Sequence, residues 1–202
     1  MLIEVNPLHP EPRKIRRAVE AMEKGEVVAY PTDVAYALGC DLHSRAGIEK
    51  LYQTKQMERS QPLAFLCPDL SDIARYAVVD NPSYRLLRRI FPGPYTVLLP
   101  ASREVPRLLQ SKRRTIGMRV PDCAVTMALM RALGRPILST TAAEHGGEPL
   151  VDPRDVAVMF PKAEVVLDGG FGRSEVTTVL DLSTGQIEVI RVGAGSIDNL
   201  FG

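Results

Sequence analysis

The chain has no tryptophan, and aromatic residues make up only 5% of its 202 positions. Those few show no stacking-type spacing, which argues against recognition of single-stranded nucleic acid through stacked bases. Cysteine is scarce too: Cys40, Cys67 and Cys123 are widely separated, with no C-x-x-C pair. An odd, scattered set speaks against a disulfide framework and a zinc site, and it suits a reducing cytoplasm. Neither sign of charge prevails, with 25 Lys plus Arg against 24 Asp plus Glu, so any basic surface has to come from local clustering. No apolar run approaches the ~20 residues of a membrane span, and the N-terminal MLIEVNPLHPEPRK lacks a signal-peptide core. A cytoplasmic protein with no membrane partner is expected. Common catalytic and phosphate motifs are missing as well: there is no GxxxxGK-S/T loop, no HExxH and no GxSxG elbow. His9, His43 and His145 show no ligand spacing, so no metal site is expected.

What is present is an ordinary globular balance, 45% apolar and 24% charged, in a length that fits one domain with a substantial core. Residues 13–24 space Ile15, Ala18, Val19 and Met22 as a helix face, with Lys24-Gly25 as its stop. Ser44 is positioned to cap a helix running to about Thr54, and Ser71 to cap a short one ending near Ala77. Asn81-Pro82 opens a helix that stops at Phe91-Pro92-Gly93. Asp122 opens one ended by Gly134, and Asp152-Pro153 one that reaches Phe160. Predicted strands lie at 62–67, 95–99, 115–120, 137–141 and 165–167, with a helical turn at 105–109. Residues 177–182 and 187–192, joined by Ser-Thr-Gly-Gln, read as a hairpin. Strands mixed with helices predict one α/β domain spanning residues 1–202, with a mixed sheet.

The chain is organised around residues 27–41, VVAYPTDVAYALGCD. Val27 to Tyr30 is a β-rich apolar run that reads as a buried strand. Pro31 ends it, having no amide hydrogen for a ladder. Thr32 and Asp33 then stand where a central strand emerges, the usual place for ligand groups in open α/β sheets. A turn without chemistry is the competing reading, since turns often contain Pro, Thr and Asp. A second apolar run, Val34 to Leu38, leads on to Gly39.

With no nucleophile or metal cluster in view, what remains is a set of polar groups at predicted strand ends: Thr32, Lys55, Arg119, Thr141, Thr178 and Arg191. Hydroxyls with permanent cations suit an anionic substrate, such as a nucleotide together with a carboxylate. Arginine grips carboxylate or phosphate through two parallel hydrogen bonds, and lysine acts as a point charge. Strand ends also carry such residues by chance. A separate cluster, Lys112, Arg113 and Arg114, has Arg103 and Arg107 nearby and is the candidate RNA-binding surface, because grouped cations supply sequence-independent phosphate affinity. With so few aromatics, double-stranded RNA read by shape is the expected form.

Several motifs, in order along nearly the whole chain, resemble those of the YrdC-like family, proteins similar to threonylcarbamoyl-adenylate synthases. Pro31-Thr32-Asp33-Val34-Ala35-Tyr36-Ala37-Leu38 resembles Pro-Thr-Asp-Thr-x-Tyr-Gly-Leu. KQMERSQPL resembles Lys-x-Arg-Pro-x-x-x-Pro-Leu, and TIGMRVP resembles the Arg-x-Pro strand. LSTTAA followed by HGGEP resembles Ser-Thr-Ser-Ala-Asn-x-Ser-Gly-x-Pro, while TTVLDL and IRVGA resemble the Ser-Thr-Val-x-Asp and Ile-Arg-x-Gly-Ala endings. The resemblance implies a single YrdC-like domain, a twisted mixed sheet with flanking helices around a deep concave cavity. It also implies the family's reaction, in which ATP, threonine and bicarbonate become threonylcarbamoyl-adenylate with release of pyrophosphate, the first step of tRNA t6A formation. Carried over to this sequence, it has Thr32 and Arg119 hold the threonine moiety, lined by Tyr36. Lys55 and Arg119 become the catalytic cations, and Lys55, Ser139, Thr141, Thr178 and Arg191 the nucleotide contacts. ATP, carrying magnesium, enters as a substrate, and no tightly bound cofactor is implied.

Two positions depart from the family pattern. Met57 stands for the Arg of Lys-x-Arg, and Ala143 for the Asn of Ser-x-Asn. Arg59, two residues on, is the expected substitute for the first and completes the candidate nucleotide contacts. Losing a guanidinium and an amide removes transition-state stabilisation equivalent to about a thousandfold in rate. DLSDIARYAVVDN, REVPRLLQSKRRTIGMRVP and LGRPILST are similar to the YciO branch of the superfamily, which is set apart by a degraded form of these motifs. Two functions from different classes follow: a slow synthase, or a protein that keeps the cavity and uses its basic surface on double-stranded RNA, tRNA or ribosomes. A nucleotide-binding domain of other purpose is the plain third reading.

Overall fold

The structure, a computed structural model, describes residues 1–144, 146–198 and 200. His145 therefore lies outside the described residues. Ten strands join in one sheet: β1 (Leu2–Glu4), β2 (Val28–Tyr30), β3 (Ala37–Asp41), β4 (Ala64–Leu66), β5 (Tyr95–Pro100), β6 (Thr115–Arg119), β7 (Ile137–Thr141), β8 (Val165–Asp168), β9 (Thr178–Asp181) and β10 (Glu188–Arg191). Their order across the sheet is β1-β8-β2-β3-β7-β4-β6-β5-β9-β10. Pairing is mixed: β2–β8, β4–β6 and β5–β9 run parallel, while β2–β3, β3–β7, β4–β7 and β5–β6 run antiparallel. This is the mixed α/β domain expected from the sequence.

Six α-helices flank the sheet among the described residues: α1 (Pro12–Glu23), α2 (Arg45–Lys55), α3 (Leu70–Tyr76), α4 (Asn81–Ile90), α5 (Ala124–Leu133) and α6 (Pro153–Met159). Ser44 caps α2 as expected, its hydroxyl accepting from the Gly47 amide at 3.0 Å. Two other caps move by one or two residues. Asp69 rather than Ser71 caps α3, accepting from the amides of Ser71 and Asp72, and Asp80 rather than Asn81 caps α4. A carboxylate is the stronger acceptor for the unpaired amides of a first turn. Asp122 gives way to Cys123 at the start of α5, where no side chain bonds the first turn. None of these helices is long and apolar enough to cross a membrane.

Alternation along the strands sends side chains to two different layers. One face carries Leu38, Phe65, Val97, Leu99, Ile116, Met118, Leu138 and Leu180, packed under α2, α3, α4 and α6 in the larger core. The opposite face carries Val28, Tyr30, Ala37, Ile137, Val165 and Leu167, covered by α1 and α5 through residues such as Val19, Met22, Val125 and Leu129. That second layer stops partway across. It reaches Leu66 at the edge of β4, and among the described residues no helix covers the same face of β6, β5 and β9. The strand β1 went unpredicted because it is three residues long, and it finds its place by pairing with β8.

Candidate functional site

The uncovered half of the sheet face is the floor of a cavity of about 230 Å³. Its lining follows the two-residue period: Gly117 and Arg119 from β6, Ser139 and Thr141 from β7, Ala64 and Leu66 from β4, Thr96 and Leu98 from β5. Gly117 keeps the floor low, because a Cβ there would press on the Thr96 methyl at 3.3 Å. A second chamber of about 350 Å³ adjoins the first and shares Pro62, Thr140 and Thr141 with it. Lys55, Met57, Gln61 and Glu144 line that outer chamber. Taken together the two chambers fall within the roughly 300–1,000 Å³ of small-ligand sites.

At the inner end Arg119, the last residue of β6, is 7% exposed. Its guanidinium bonds the Asp33 carboxylate and donates to the Thr32 hydroxyl at 3.2 Å. Thr32 itself turns back on its own loop, donating to the Ala35 carbonyl at 2.7 Å and accepting from the Val34 amide. Thr32 is thus the anchor of Arg119 and does not line either chamber. Asp33, left out of the expected site, is the counter-charge that holds the arginine. Arg119 Nε and Asp33 Oδ2 are buried without a partner among the described residues. Tyr36 lines the cavity, with its hydroxyl donating to the Gly170 carbonyl at 2.7 Å and accepting from the Gly169 amide. Burial drives its phenol pKa well above the ordinary range.

At the far end the hairpin of β9 and β10 supplies Thr177 and Arg191. Arg191 donates from Nε and Nη2 to the Thr177 carbonyl, and from Nη2 to the Thr177 hydroxyl at 3.1 Å. The same hydroxyl meets Thr96 Oγ1 at 2.9 Å. The expected Thr178 is one residue off. It faces the larger core, fully buried, where its hydroxyl donates to the Gly195 carbonyl and accepts from the Gly193 amide. A one-residue step in a strand reverses the face.

The remaining expected residues divide. Ser139 reaches the cavity wall, but its hydroxyl is engaged by Tyr30 at 2.8 Å and by the Leu38 carbonyl. Thr141 is exposed between the two chambers. Lys55 ends α2, not a strand, and its ammonium bonds the carbonyl of Ala143 and lies 5.8 Å from the centre of the Phe160 ring. Burial lowers the Lys55 pKa, while the Glu144 carboxylate opposes that shift. Arg59 does not substitute for Met57. It pairs with Glu49 at 2.7 Å beside Arg45, Ile48 and Tyr52 and lines neither chamber. Among the described residues no group of three or more His, Cys, Asp or Glu side chains is placed to hold a metal ion.

The cluster at 112–114 lies elsewhere. Lys112 and Arg114, with Arg103, Arg107, Ser102 and Ser111, line a groove of about 630 Å³ that shares no residue with the cavity. Arg113 is exposed but does not line it. Arg114 adopts φ +58°, a left-handed conformation uncommon for a residue with a side chain. It is held there by bonds from its amide to the Ser111 carbonyl and from the Ala101 amide to its own carbonyl.

A ten-stranded mixed sheet, sheltered over half of one face and hollowed over the other half into an arginine- and hydroxyl-lined cavity, defines the class as a single-domain α/β cavity protein. The chain belongs to the Sua5/YciO/YrdC family, whose model, described as telomere recombination, matches residues 20–193. It is 39% identical over 196 residues to the uncharacterised protein YciO of Escherichia coli K12, covering 96% of this chain and 95% of that one. The crystal structure of E. coli YciO superposes with a TM-score of 0.94 at 36% identity over 98% of each chain. Threonylcarbamoyl-AMP synthase of Thiobacillus denitrificans is 33% identical over 168 residues, 82% of this chain and 89% of that one. Sua5 of P. abyssi, solved in complex with L-threonine, gives a TM-score of 0.89 at 28% identity over 96% of this chain and 57% of that one.

Proposed function

We propose that this protein binds an adenine nucleotide and threonine in adjoining chambers and is a slow, cytoplasmic threonylcarbamoyl-AMP synthase linked to tRNA t6A modification. The observation that carries this reading is the pair of chambers joined at Pro62, Thr140 and Thr141. Each holds a cation oriented by the fold, Arg119 in the inner chamber and Lys55 in the outer one. Arg119 would bind the carboxylate of threonine, Tyr36 would shape the space around its side chain, and Arg191 with Thr177, at the far end of the same inner chamber, would meet the part of the nucleotide that reaches in from the outer one. Lys55 and Thr141 would face phosphate. Magnesium would arrive on the phosphates of ATP as part of that substrate. Relatives that carry the synthase name and a family structure with L-threonine support the reading.

Slowness follows from what the outer chamber lacks. Donors fixed before reaction stabilise charge developing on phosphate more than water does. Met57 offers none, Ala143 offers only its backbone, and Arg59 is turned away to Glu49. Mixing the protein with ATP, bicarbonate and threonine and measuring pyrophosphate tests the reading: threonine-dependent release is expected, and release that ignores threonine would refute it.

The basic groove at 101–114 favours a second reading, in which double-stranded RNA, including tRNA or ribosomal RNA, lies along the surface. Four cations and two serine hydroxyls line it, and no carboxylate does. Such a surface suits phosphate backbone contact without sequence preference.

A further inference from the structure

We propose that the cavity between α2 and the loop at 57–61 is a second binding site, one that takes a small monocarboxylate with an apolar body. The cavity holds about 240 Å³ and is lined by Arg45, Ile48, Glu49, Tyr52 and Arg59, none of which lines either chamber. Its volume lies below the roughly 300 Å³ at which drug-sized sites begin, which limits the ligand to a small metabolite. Residues 45, 48, 49 and 52 recur at the three- and four-residue spacing of one helix face, and Arg59 closes the cavity from the loop. Ile48 and Tyr52 are buried and form an apolar floor, whereas Arg45 and Arg59 are exposed as charged walls.

Charge sets the chemistry of the ligand. Two guanidiniums stand against one carboxylate, so the lining carries one net positive charge. Glu49 pairs with Arg59 at 2.7 Å, and Lys50, the next cation on α2, pairs with Glu26. Arg45 has no carboxylate within ion-pair distance among the described residues, and the Tyr52 hydroxyl is turned to the Gln61 carbonyl at 3.3 Å. The open donors are therefore those of Arg45, together with those that Arg59 does not give to Glu49. One carboxylate satisfies them through parallel hydrogen bonds, and an apolar body covers Ile48 and the Tyr52 ring. A more highly charged anion without such a body would meet Glu49 and leave the floor bare. The loop makes occupancy visible, because Arg59 lines this cavity while Met57 and Gln61 line the outer chamber. Its Met57 amide donates to the Tyr52 carbonyl at 2.9 Å, and its Gln61 amide to the Glu58 carbonyl at 3.0 Å. A carboxylate shared by Arg45 and Arg59 would tie the loop to α2 a second time and slow the opening of those bonds.

The test is calorimetry and hydrogen exchange on the full chain with benzoate as the probe and no nucleotide present. Benzoate is expected to bind and to slow exchange of the Met57 and Gln61 amides several-fold. Benzamide, which keeps the ring without the charge, and inorganic phosphate, which keeps charge without the ring, should each bind about tenfold more weakly. R45M should weaken benzoate about tenfold and remove the protection at 57–61, whereas R119M/D33N, altered in the inner chamber, should bind it as the wild type does. Benzamide or phosphate binding as tightly as benzoate would overturn the inference, and so would R45M binding benzoate unchanged. Loss of binding in R119M/D33N but not in R45M would place benzoate in the inner chamber and overturn it too. No binding to a wild type that melts cooperatively would do the same. Because no arm uses a nucleotide or measures pyrophosphate, this site stands or falls separately from the synthase reading.

Discussion

Arg119 and Asp33, 86 residues apart in the chain, form an ion pair in which both side chains are nine-tenths buried. The arginine ends β6 and the aspartate follows the turn after β2, so the pair ties two distant parts of the sheet beneath the cavity. Removing one partner leaves a buried charge without compensation, which costs about 3–5 kcal/mol. R119A and D33A should each lose stability on that scale in chemical denaturation. The double variant R119M/D33N should recover much of it while still failing to bind threonine. Equal losses in the single and double variants would show that the two groups are not coupled.

Thr177 and Thr178 are neighbours with opposite duties. T178A removes a fully buried hydroxyl that bridges Gly193 and Gly195 and should cost about 1–3 kcal/mol. T177A frees Arg191 from one contact and opens the cavity wall. It should weaken nucleotide binding several-fold with a stability change below about 1 kcal/mol. Paired melting and titration experiments separate the two, and a reversed pattern would return the ligand role to Thr178.

That reversal of adjacent threonines marks the boundary of what the sequence discloses. The strands around Val97, Met118, Leu138 and Val165 were legible as short runs rich in apolar and β-branched residues, and the Ser44 cap and the Gly134 stop follow from local backbone chemistry. Ordered motifs located Arg119, Tyr36, Thr141 and Arg191. Which face Thr177 or Thr178 occupies depends on the register of β9 against β5, a long-range pairing with no local signal. Asp33 as the partner of Arg119 and Glu49 as the partner of Arg59 are likewise contacts made by folding. Asp69 and Asp80 took the caps expected of Ser71 and Asn81 because several good acceptors stood within two residues of each other.

Lys55 gives the protein a pH signature. Burial holds its pKa below the ordinary value of 10.5, so its positive charge disappears at lower pH than that of an exposed lysine. Binding of AMP should therefore weaken on the alkaline side before pH 10.5, and K55R should abolish that limb because guanidinium stays charged. Stability moves the other way. The folded state disfavours the ammonium, so between the folded and unfolded pKa values the unfolded chain binds more protons, and stability rises with pH. Titration calorimetry and denaturation over the same pH series should give opposing slopes; parallel slopes would assign the effect to another group.

The groove at 101–114 predicts a salt-dependent partner. K112E/R114E/R103E should weaken binding of duplex RNA and lower the slope of log affinity against log salt by about 2–3. Adenine nucleotide affinity should stay the same, since groove and cavity share no residue. Gel-shift or anisotropy measurements at several salt concentrations check this, and an unchanged slope would remove the groove as an RNA surface.

Restoring the family residues should restore turnover. M57R/A143N is expected to raise the rate of pyrophosphate release by tenfold or more, about 1.4 kcal/mol of barrier, and to tighten ATP less than that. R59A should change neither, because Arg59 is paired with Glu49 away from both chambers. Steady-state rates set against nucleotide titrations decide the matter. A double variant that binds ATP but releases pyrophosphate no faster would show that the limit lies in loop geometry.

The second helical layer ends near β4, and Gly117, Thr96 and Leu98 beyond it face the cavity, with no helix over them among the described residues. For the sheet, then, a small molecule bound as proposed would occupy the place of a missing helix. Occupancy and folding become one equilibrium: a ligand at a hundredfold excess over its Kd adds about 2.7 kcal/mol to stability. Where that molecule is scarce, more of the protein would be unfolded and open to proteases. The amount of this protein in a cell would then follow the supply of its own ligand.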